Sequence, residues 1–229
     1  MNSVAKKILV ATTNPGKLAE ISAMLDLNID WKSLTDFPDI KVIKEDGKIF
    51  AENARKKALG YAKQTNLWTL ADDSGLVIDA LGGLPGVTSA RFSGFDKLTT
   101  GGEKERDRTL LDHKNMQKVL KLLQNVPKEK RTARFVCCLC LACPEPAEGA
   151  SPQKVLIETE GKLEGIIAEN QAGSNGFGYD PVFYLPALNK TVAQLESAEK
   201  NNISHRGNAV KKLKPLLEKL LEANQHRFP

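Results

Sequence analysis

No apolar run in this chain approaches the length needed to cross a bilayer, which argues against a helical membrane protein. The start, Met1-Asn2-Ser3-Val4-Ala5-Lys6-Lys7, passes straight into a strand-like Ile8-Leu9-Val10-Ala11. It carries no long apolar segment and no cleavage signal, so the expectation is a cytoplasmic protein with reduced thiols. Internal repeats and a clean linker are also missing. Charge of one sign is not concentrated, because 28 acidic residues are spread among 33 basic ones for a net +5. That balance suits a protein handling phosphates but lacks the clustered footprint of a nucleic-acid binder. Cysteine is scarce and confined to Cys137, Cys138, Cys140 and Cys143. Their spacing invites zinc, yet on a strand Cys138 and Cys140 face one way and Cys137 the other, so four ligands do not converge as a tetrahedron. Small buried hydrophobes are the preferred reading, with a metal or redox role as the alternative.

At 229 residues the chain suits one large domain or two small lobes and can bury a substantial core unaided. Strand-like Ile8 to Ala11 leads into Thr12-Thr13-Asn14-Pro15-Gly16-Lys17 and a helix carrying Leu18, Ile21, Met24 and Leu25. A second helix is expected from about Phe50 to Thr65, with Phe50, Ala54, Ala58, Tyr61 and Ala62 on one stripe. Strands are predicted at 67–71 and 76–78, with the turn chemistry of Asp72-Asp73-Ser74-Gly75 between them. The spacing further predicts a polar surface excursion over 95–108, a helix over 115–123 and a strand over 133–142. A loop at 144–152 and a strand pair over 155–167, turning or bulging at Gly161 and Gly165, follow. The last helix starts near Ser204 and contains Pro215. Helices interleave with strands, which points to a mixed α/β fold of two lobes with a cleft between them.

Five groups of residues have the right types for chemistry. Asp72 and Asp73 point to opposite faces of their strand, so one carboxylate can serve an active site while the other ties down the turn; a plain solvated turn is the alternative. Thr12 to Lys17 offers a helix amino end with oxyanion donors, though it lacks the glycine and Gly-Lys-Ser/Thr pattern of a Walker A loop. Lys57 lies on the apolar stripe of its helix and needs an anion partner unless it snorkels to solvent. Glu52 and Lys56 have the spacing of a surface ion pair. Ser174-Asn175-Gly176-Phe177-Gly178-Tyr179-Asp180 is either a surface for a flat ligand or a glycine-rich hairpin. Lys200 precedes Ser204-His205-Arg206-Gly207, where Ser204 is a candidate N-cap and cations in the first turn oppose the helix dipole unless something anionic compensates them; a neutral, exposed His205 is the bland reading.

In this order and spacing the motifs resemble the inosine triphosphate pyrophosphatase family. The likeness rests on Ala-Thr-Thr-Asn-Pro-Gly-Lys17, Phe-Ala-Glu-Asn-Ala54, Ala-Asp-Asp-Ser-Gly75, Leu-Gly-Gly-Leu-Pro-Gly86, Ser-Ala-Arg-Phe-Ser-Gly94, Gly-Phe-Gly-Tyr-Asp-Pro181 and Ser-His-Arg-Gly207. The resemblance implies a single domain, an elongated two-lobed mixed-sheet α/β fold with flanking helices and a central cleft, and a homodimer. It further implies hydrolysis of ITP, dITP and XTP to the monophosphate and pyrophosphate with Mg²⁺, or Mn²⁺ in its place. Thr12, Thr13, Asn14, Pro15, Gly16, Lys17 and Lys57 would then grip the triphosphate, helped by Arg91. Asp73 would hold metal and act as general base beside Ser74. Phe177 would stack on the base within Phe177-Gly178-Tyr179, while Asp180, Lys200, His205 and Arg206 would read its edge.

Hypoxanthine and xanthine present a 6-oxo acceptor and an N1–H donor, which suits cationic donors beside a carboxylate acceptor; adenine inverts that pattern. Guanine shares it, so its rejection must come from its 2-amino group. Two features depart from the family pattern. The acidic pair expected before the glycine of the Phe-x-Glu-Asn motif is here Lys44-Glu45-Asp46-Gly47, which makes Glu45 the expected second metal carboxylate and Asp46 the alternative. The stretch from Phe95 to Asp112 is also longer than the family's, which would alter the dimer edge and spare the cleft. Competing readings are a related-fold hydrolase with another base preference and a noncatalytic nucleotide or RNA binder.

Overall fold

The structure is a computed structural model and describes residues 6–13, 15–94, 104–144 and 154–225. Strand β1 (Lys6–Val10) buries Ile8, Leu9 and Val10 and runs into helix α1 (Pro15–Leu25), where Pro15 takes the first helical position. Ile21 and Leu25, one turn apart, are the part of α1 that enters the core. Strand β2 (Ile29–Ser33) was not foreseen and pairs parallel to β1. Helix α2 (Phe50–Thr65) has the expected bounds and buries Phe50, Ala54, Ala58, Tyr61 and Ala62 together with Asn53 and Lys57. Asn66 stops it in the left-handed region at φ 55°, returning its N–H to the Ala62 carbonyl.

Strand β3 (Trp68–Ile78) corrects the sequence reading, since no turn interrupts it at Asp72 to Gly75. Its apolar ends, Leu70-Ala71 and Leu76 with Ile78, are buried, and each aspartate between them meets its own cations, so the chain has no need to bend them into water. Helix α3 (Lys104–Leu122) begins well before residue 115 and takes in the end of the expected excursion; residues 95–103 lie outside the described residues. Strand β4 (Thr132–Cys143) follows the expected bounds closely. The loop expected at 144–152 falls almost wholly outside the described residues. Strand β5 (Lys154–Ile167) is one continuous strand rather than a pair. At Gly161 a Cβ would collide with the His205 carbonyl and the Ala209 amide, so the glycine marks a helix lying directly on strand backbone rather than a turn. Strands β6 (Phe183–Leu185) and β7 (Lys190–Thr191) and helix α4 (Ser197–Ile203) were also unforeseen, and helix α5 (His205–Gln225) closes the chain with Pro215 inside it.

The seven strands form one mixed sheet in the order β2-β1-β3-β4-β5-β6-β7, parallel at β2-β1-β3 and antiparallel at β5-β6-β7. The chain forms two compact units. One comprises the chain up to Asp73, Cys137–Gly161 and the part from His205; its core joins Ile8, Val10, Ile21, Leu25, Leu70, Leu139 and Leu213. The other comprises Ser74–Val136 and Lys162–Ser204 around Leu76, Ile78, Val119, Phe135, Val182 and Phe183, with the rings of Phe135 and Phe183 stacked at 4.3 Å. Cys137, Cys138 and Cys140 are buried in the first unit and Cys143 is half-buried. Burial pushes the Cys140 thiol up to about 12, as expected of a cysteine packed as a hydrophobe.

Candidate active site

In the first unit the chemistry gathers at the carboxyl end of β1, where α/β sheets place ligands. Parallel pairing sets Val10 opposite Leu70, so Thr12 and Asp72 come level just beyond the pairing. Thr12 is half-buried and its carbonyl takes the Leu34 N–H at 3.0 Å, while Thr13 is exposed. Asn14 lies outside the described residues, and Pro15 and Gly16 open α1. Lys17, on the first turn of that helix, donates from Nζ to Asp72 Oδ1 at 2.8 Å.

Adjacent aspartates on β3 reach different partners, as strand geometry requires. Asp72 Oδ2 accepts Nη2 and Nε of Arg206 at 3.0 and 3.2 Å, and Arg206 Nη1 continues to Glu20 Oε2 at 3.0 Å. Burial alone would raise the Asp72 pKa, but Lys17, Arg206 and Lys57 outweigh it and hold the carboxyl well below its usual range. Arg206 is 2 % exposed; burial opposes its charge, and Asp72 and Glu20 hold it above the ordinary arginine value. Asp72 therefore anchors two cations rather than a turn, and those carboxylates are the anionic compensation that a basic residue at a helix start calls for. The sequence reading put Arg206 at the base edge, whereas its guanidinium is committed to Asp72 and Glu20. His205 begins α5 and is half-buried.

Asp73 faces a different set. Lys57 Nζ lies 3.3 Å from Asp73 Oδ1 and 2.9 Å from Glu45 Oε2, and these carboxylates are the anion partners its place on an apolar stripe demands. Burial would lower the Lys57 pKa, but Asp73, Glu45 and Asp72 raise it. One ammonium serves two carboxylates, so Asp73 itself remains short of compensation. Burial, aided by Glu45 and opposed by Lys57 and Asn53, raises the Asp73 pKa to about 6. Asn53 escaped the sequence reading. It is buried, gives Nδ2 to Asp73 Oδ2 at 3.1 Å and takes the Gly47 N–H on Oδ1 at 2.7 Å, tying the catalytic candidate to the Glu45-Asp46-Gly47 segment. Asp46 points elsewhere, to Lys56 at 2.6 Å and Lys44 at 3.2 Å, which leaves Glu45 as the carboxylate beside Asp73. The expected Glu52–Lys56 pair is replaced: Lys56 goes to Asp46, and Glu52 accepts the Lys48 N–H at 2.7 Å. Among the described residues no three His, Cys, Asp or Glu side chains are grouped to hold a metal as an all-protein cage. Two hard oxygen donors around one cation position suit instead an ion that keeps most of its shell for water and phosphate.

The second unit holds the flat-ligand candidate. Phe177 is 45 % exposed, with Lys200 Nζ 4.7 Å from its ring centroid. The same Nζ donates to Asp180 Oδ2 at 2.7 Å, and that oxygen also accepts the Phe177 N–H at 3.0 Å. A donor and an acceptor thus stand side by side next to an exposed ring. Gly178 gives its N–H to Asp112 at 3.0 Å, a partner hidden from the sequence reading within a polar stretch. Tyr179 is buried and donates its hydroxyl to the Ser89 carbonyl at 2.8 Å, so it anchors the segment rather than extending it. Arg91 is exposed at the end of a 3₁₀ turn, Gly86–Arg91, and Ser74 is half-buried on β3.

Comparison with known proteins places the chain by sequence and by fold. Residues 8–216 match the model of the Ham1 family, and the chain belongs to that family. It is 44 % identical over 209 residues to a dITP/XTP pyrophosphatase of Bacillus cereus, covering 91 % of this chain and 93 % of that one. A dITP/XTP pyrophosphatase of Geobacillus kaustophilus is 45 % identical over 217 residues, covering 94 % and 96 %. Among solved structures, a HAM1 protein from Coxiella burnetii aligns with a TM-score of 0.77 at 40 % identity over 93 % of this chain and 99 % of its own.

Proposed function

We propose that the protein is a nucleoside triphosphate pyrophosphatase that hydrolyses ITP, dITP and XTP to the monophosphate and pyrophosphate, clearing deaminated purine nucleotides from the precursor pool. The observation that carries this reading is the Lys57 ammonium shared between Glu45 and Asp73, with Asp73 raised to about 6 beside it. A carboxylate with a pKa near neutrality is suited to take a proton from water at physiological pH. The likeness to dITP/XTP pyrophosphatases supports the substrate class.

Asp73 and Glu45 fit Mg²⁺, with Mn²⁺ as the alternative, and would hold it. Bound there, such an ion supplies charge neutralisation at the phosphates and lowers the pKa of its water. Asp73, oriented by Asn53, accepts the proton of the attacking water; the α-phosphorus gains that oxygen, its bond to the bridging oxygen breaks, and pyrophosphate leaves. Lys17, Lys57 and the amino end of α1 supply the positive charge that a triphosphate requires, with Thr12, Thr13 and Asn14 adding donors. Phe177 offers a face for the base, Asp180 an acceptor for N1–H and Lys200 a donor for the 6-oxo group. His205 stands at the start of the helix that follows and completes the base-reading set in this reading. Both units act as one domain, in a cytoplasmic homodimer, as the family resemblance implies.

The test is turnover of ITP, XTP, dITP, GTP, ATP and dUTP with Mg²⁺ and identification of both products. Monophosphate with pyrophosphate from the first three, and little from the rest, is the expected result. Orthophosphate release or a preference for ATP or dUTP would replace this reading by a related hydrolase, and metal-independent, salt-sensitive binding without turnover by a binder.

A further inference from the structure

The segment bearing Phe177 is fixed by two carboxylates from different places in the second unit. Asp180 takes the Phe177 N–H from three residues away, and Asp112, on α3, takes the following N–H from 66 residues away. Phe177 sits between Gly176 at φ 81° and Gly178 at φ 65°, two hinges that leave an exposed ring free to move unless its backbone is held from outside. The flanks of the segment are tied to other elements, Asn175 through its N–H to the Ala193 carbonyl at 3.0 Å and Tyr179 through its hydroxyl; at the ring itself Asp180, held in turn by Lys200, takes the Phe177 N–H, and Asp112 brings α3 to the N–H that follows. Burial, with Asp180 close by, raises the Asp112 pKa, against the Gly178 N–H and Arg108. A carboxylate in that setting is an expensive choice for packing alone. One turn on, Asn115 is buried, takes the Ser93 N–H at 2.6 Å and donates to the Ala90 carbonyl at 3.1 Å. The hydroxyl of Tyr179 closes the same web on the Ser89 carbonyl at 2.8 Å. The face of α3 bearing Asp112 and Asn115 is therefore hydrogen-bonded both to the Phe177 segment and to residues 90–93.

We propose that Asp112 is a positioning residue for nucleobase recognition: by accepting the Gly178 N–H it holds the Phe177 ring and its neighbour Lys200 as a preformed platform. The inference rests on the reading of Phe177 as the base-stacking residue. Binding to a preformed platform avoids the entropy of ordering it, so its loss appears in substrate affinity rather than in the chemical step.

The experiment compares wild type, Asp112→Ala, Asp112→Asn, Phe177→Ala and the Asp112→Ala/Phe177→Ala double variant by ITP kinetics, and by amide hydrogen exchange of residues 174–182 without nucleotide. Asp112→Ala is expected to raise KM about tenfold with kcat within about twofold, and to accelerate exchange in that segment about tenfold. Asp112→Asn keeps an oxygen acceptor and should restore most of both. On the Phe177→Ala background, Asp112→Ala should add less than about twofold to KM, because it acts through the ring. Asp112→Ser replaces the alanine variant if that fails to fold. An active wild type with unchanged KM and exchange in Asp112→Ala overturns the inference, as does a loss confined to kcat or full additivity with Phe177→Ala. A wild type inactive on ITP overturns the function reading and the inference with it, and is told apart by the wild-type rate alone.

Discussion

Replacing Arg206, which is 2 % exposed, by Met removes its guanidinium and leaves Asp72 beside a shorter side chain without charge. Both Nε and Nη2 bond Asp72 Oδ2 and Nη1 bonds Glu20, while Asp72 retains Lys17 at 2.8 Å on its other oxygen. Breaking a buried pair by deleting one partner costs about 3–5 kcal/mol, and the surviving Lys17 contact places this case near ~3 kcal/mol. For a chain of this size about 1 kcal/mol moves Tm by roughly 2–4 °C, so Arg206→Met should melt about 6–12 °C lower. Arg206→Lys should recover little, since an ammonium cannot bond Asp72 and Glu20 in the same fork. Asp72→Asn in the Arg206→Met background should recover part of the loss, because no uncompensated carboxylate remains. The pH dependence has a defined sign. The depressed Asp72 pKa contributes stability that is fully present above its unfolded value of about 3.8 and is lost as pH falls through the lower folded value, so the gap between wild type and variant should be widest above pH ~4 and narrow below it. Differential scanning calorimetry across pH measures all of this. A shift under about 2 °C together with a large rise in KM for ITP would refute the reasoning and restore Arg206 to the base edge where its sequence motif suggested it belongs.

Asp73→Asn should lower kcat by about 10²–10⁴ while leaving the fold intact, by circular dichroism and product assay. In the wild type, kcat/KM should fall on the acid side with an apparent pKa at or below about 6, because the base must be ionised; a flat profile from pH 5 to 8 speaks against Asp73. The same raised pKa makes the ionised Asp73 a cost to the nucleotide-free fold that grows as pH rises from about 3.8 to about 6, so the Tm of Asp73→Asn relative to wild type should climb over that range and level off above it. Glu45→Gln should raise the Mg²⁺ concentration needed for half-maximal rate, whereas Asp46→Asn, which removes a partner of Lys44 and Lys56 only, should leave that titration unchanged.

Helix α2 was legible because its apolar residues recur at the helical period, and Lys57 announced its need for anions by standing in that stripe. Which anions it meets was less accessible: Glu45 was an expectation from motif position, and its distance of 2.9 Å to Lys57 is a tertiary fact. Asp72 to Gly75 misled for a physical reason, since Asp-Asp-Ser-Gly is turn chemistry and only the distant Lys17, Arg206, Lys57 and Asn53 let it run as strand. Gly161 gave the same signal as a turn glycine, although its cause is the backbone of α5 arriving 44 residues later in sequence. Asn53 stood in a motif without a role of its own and Asp112 in a polar stretch without periodic signal; the burial of Asn53 and the partners of both are what mark them. The short strands β6 and β7 and helix α4 are held by neighbours in the sheet and by loops, which a pattern of three to seven residues does not encode.

If Asp73 activates the attacking water, the new oxygen goes to the α-phosphorus of a deaminated purine nucleoside triphosphate. Hydrolysis of ITP in ¹⁸O-water with Mg²⁺, followed by mass spectrometry of both products, tests it most directly. One ¹⁸O is expected in inosine monophosphate and none in pyrophosphate, with the label transfer lost in Asp73→Asn. Label in pyrophosphate, or release of orthophosphate with inosine diphosphate, would contradict it.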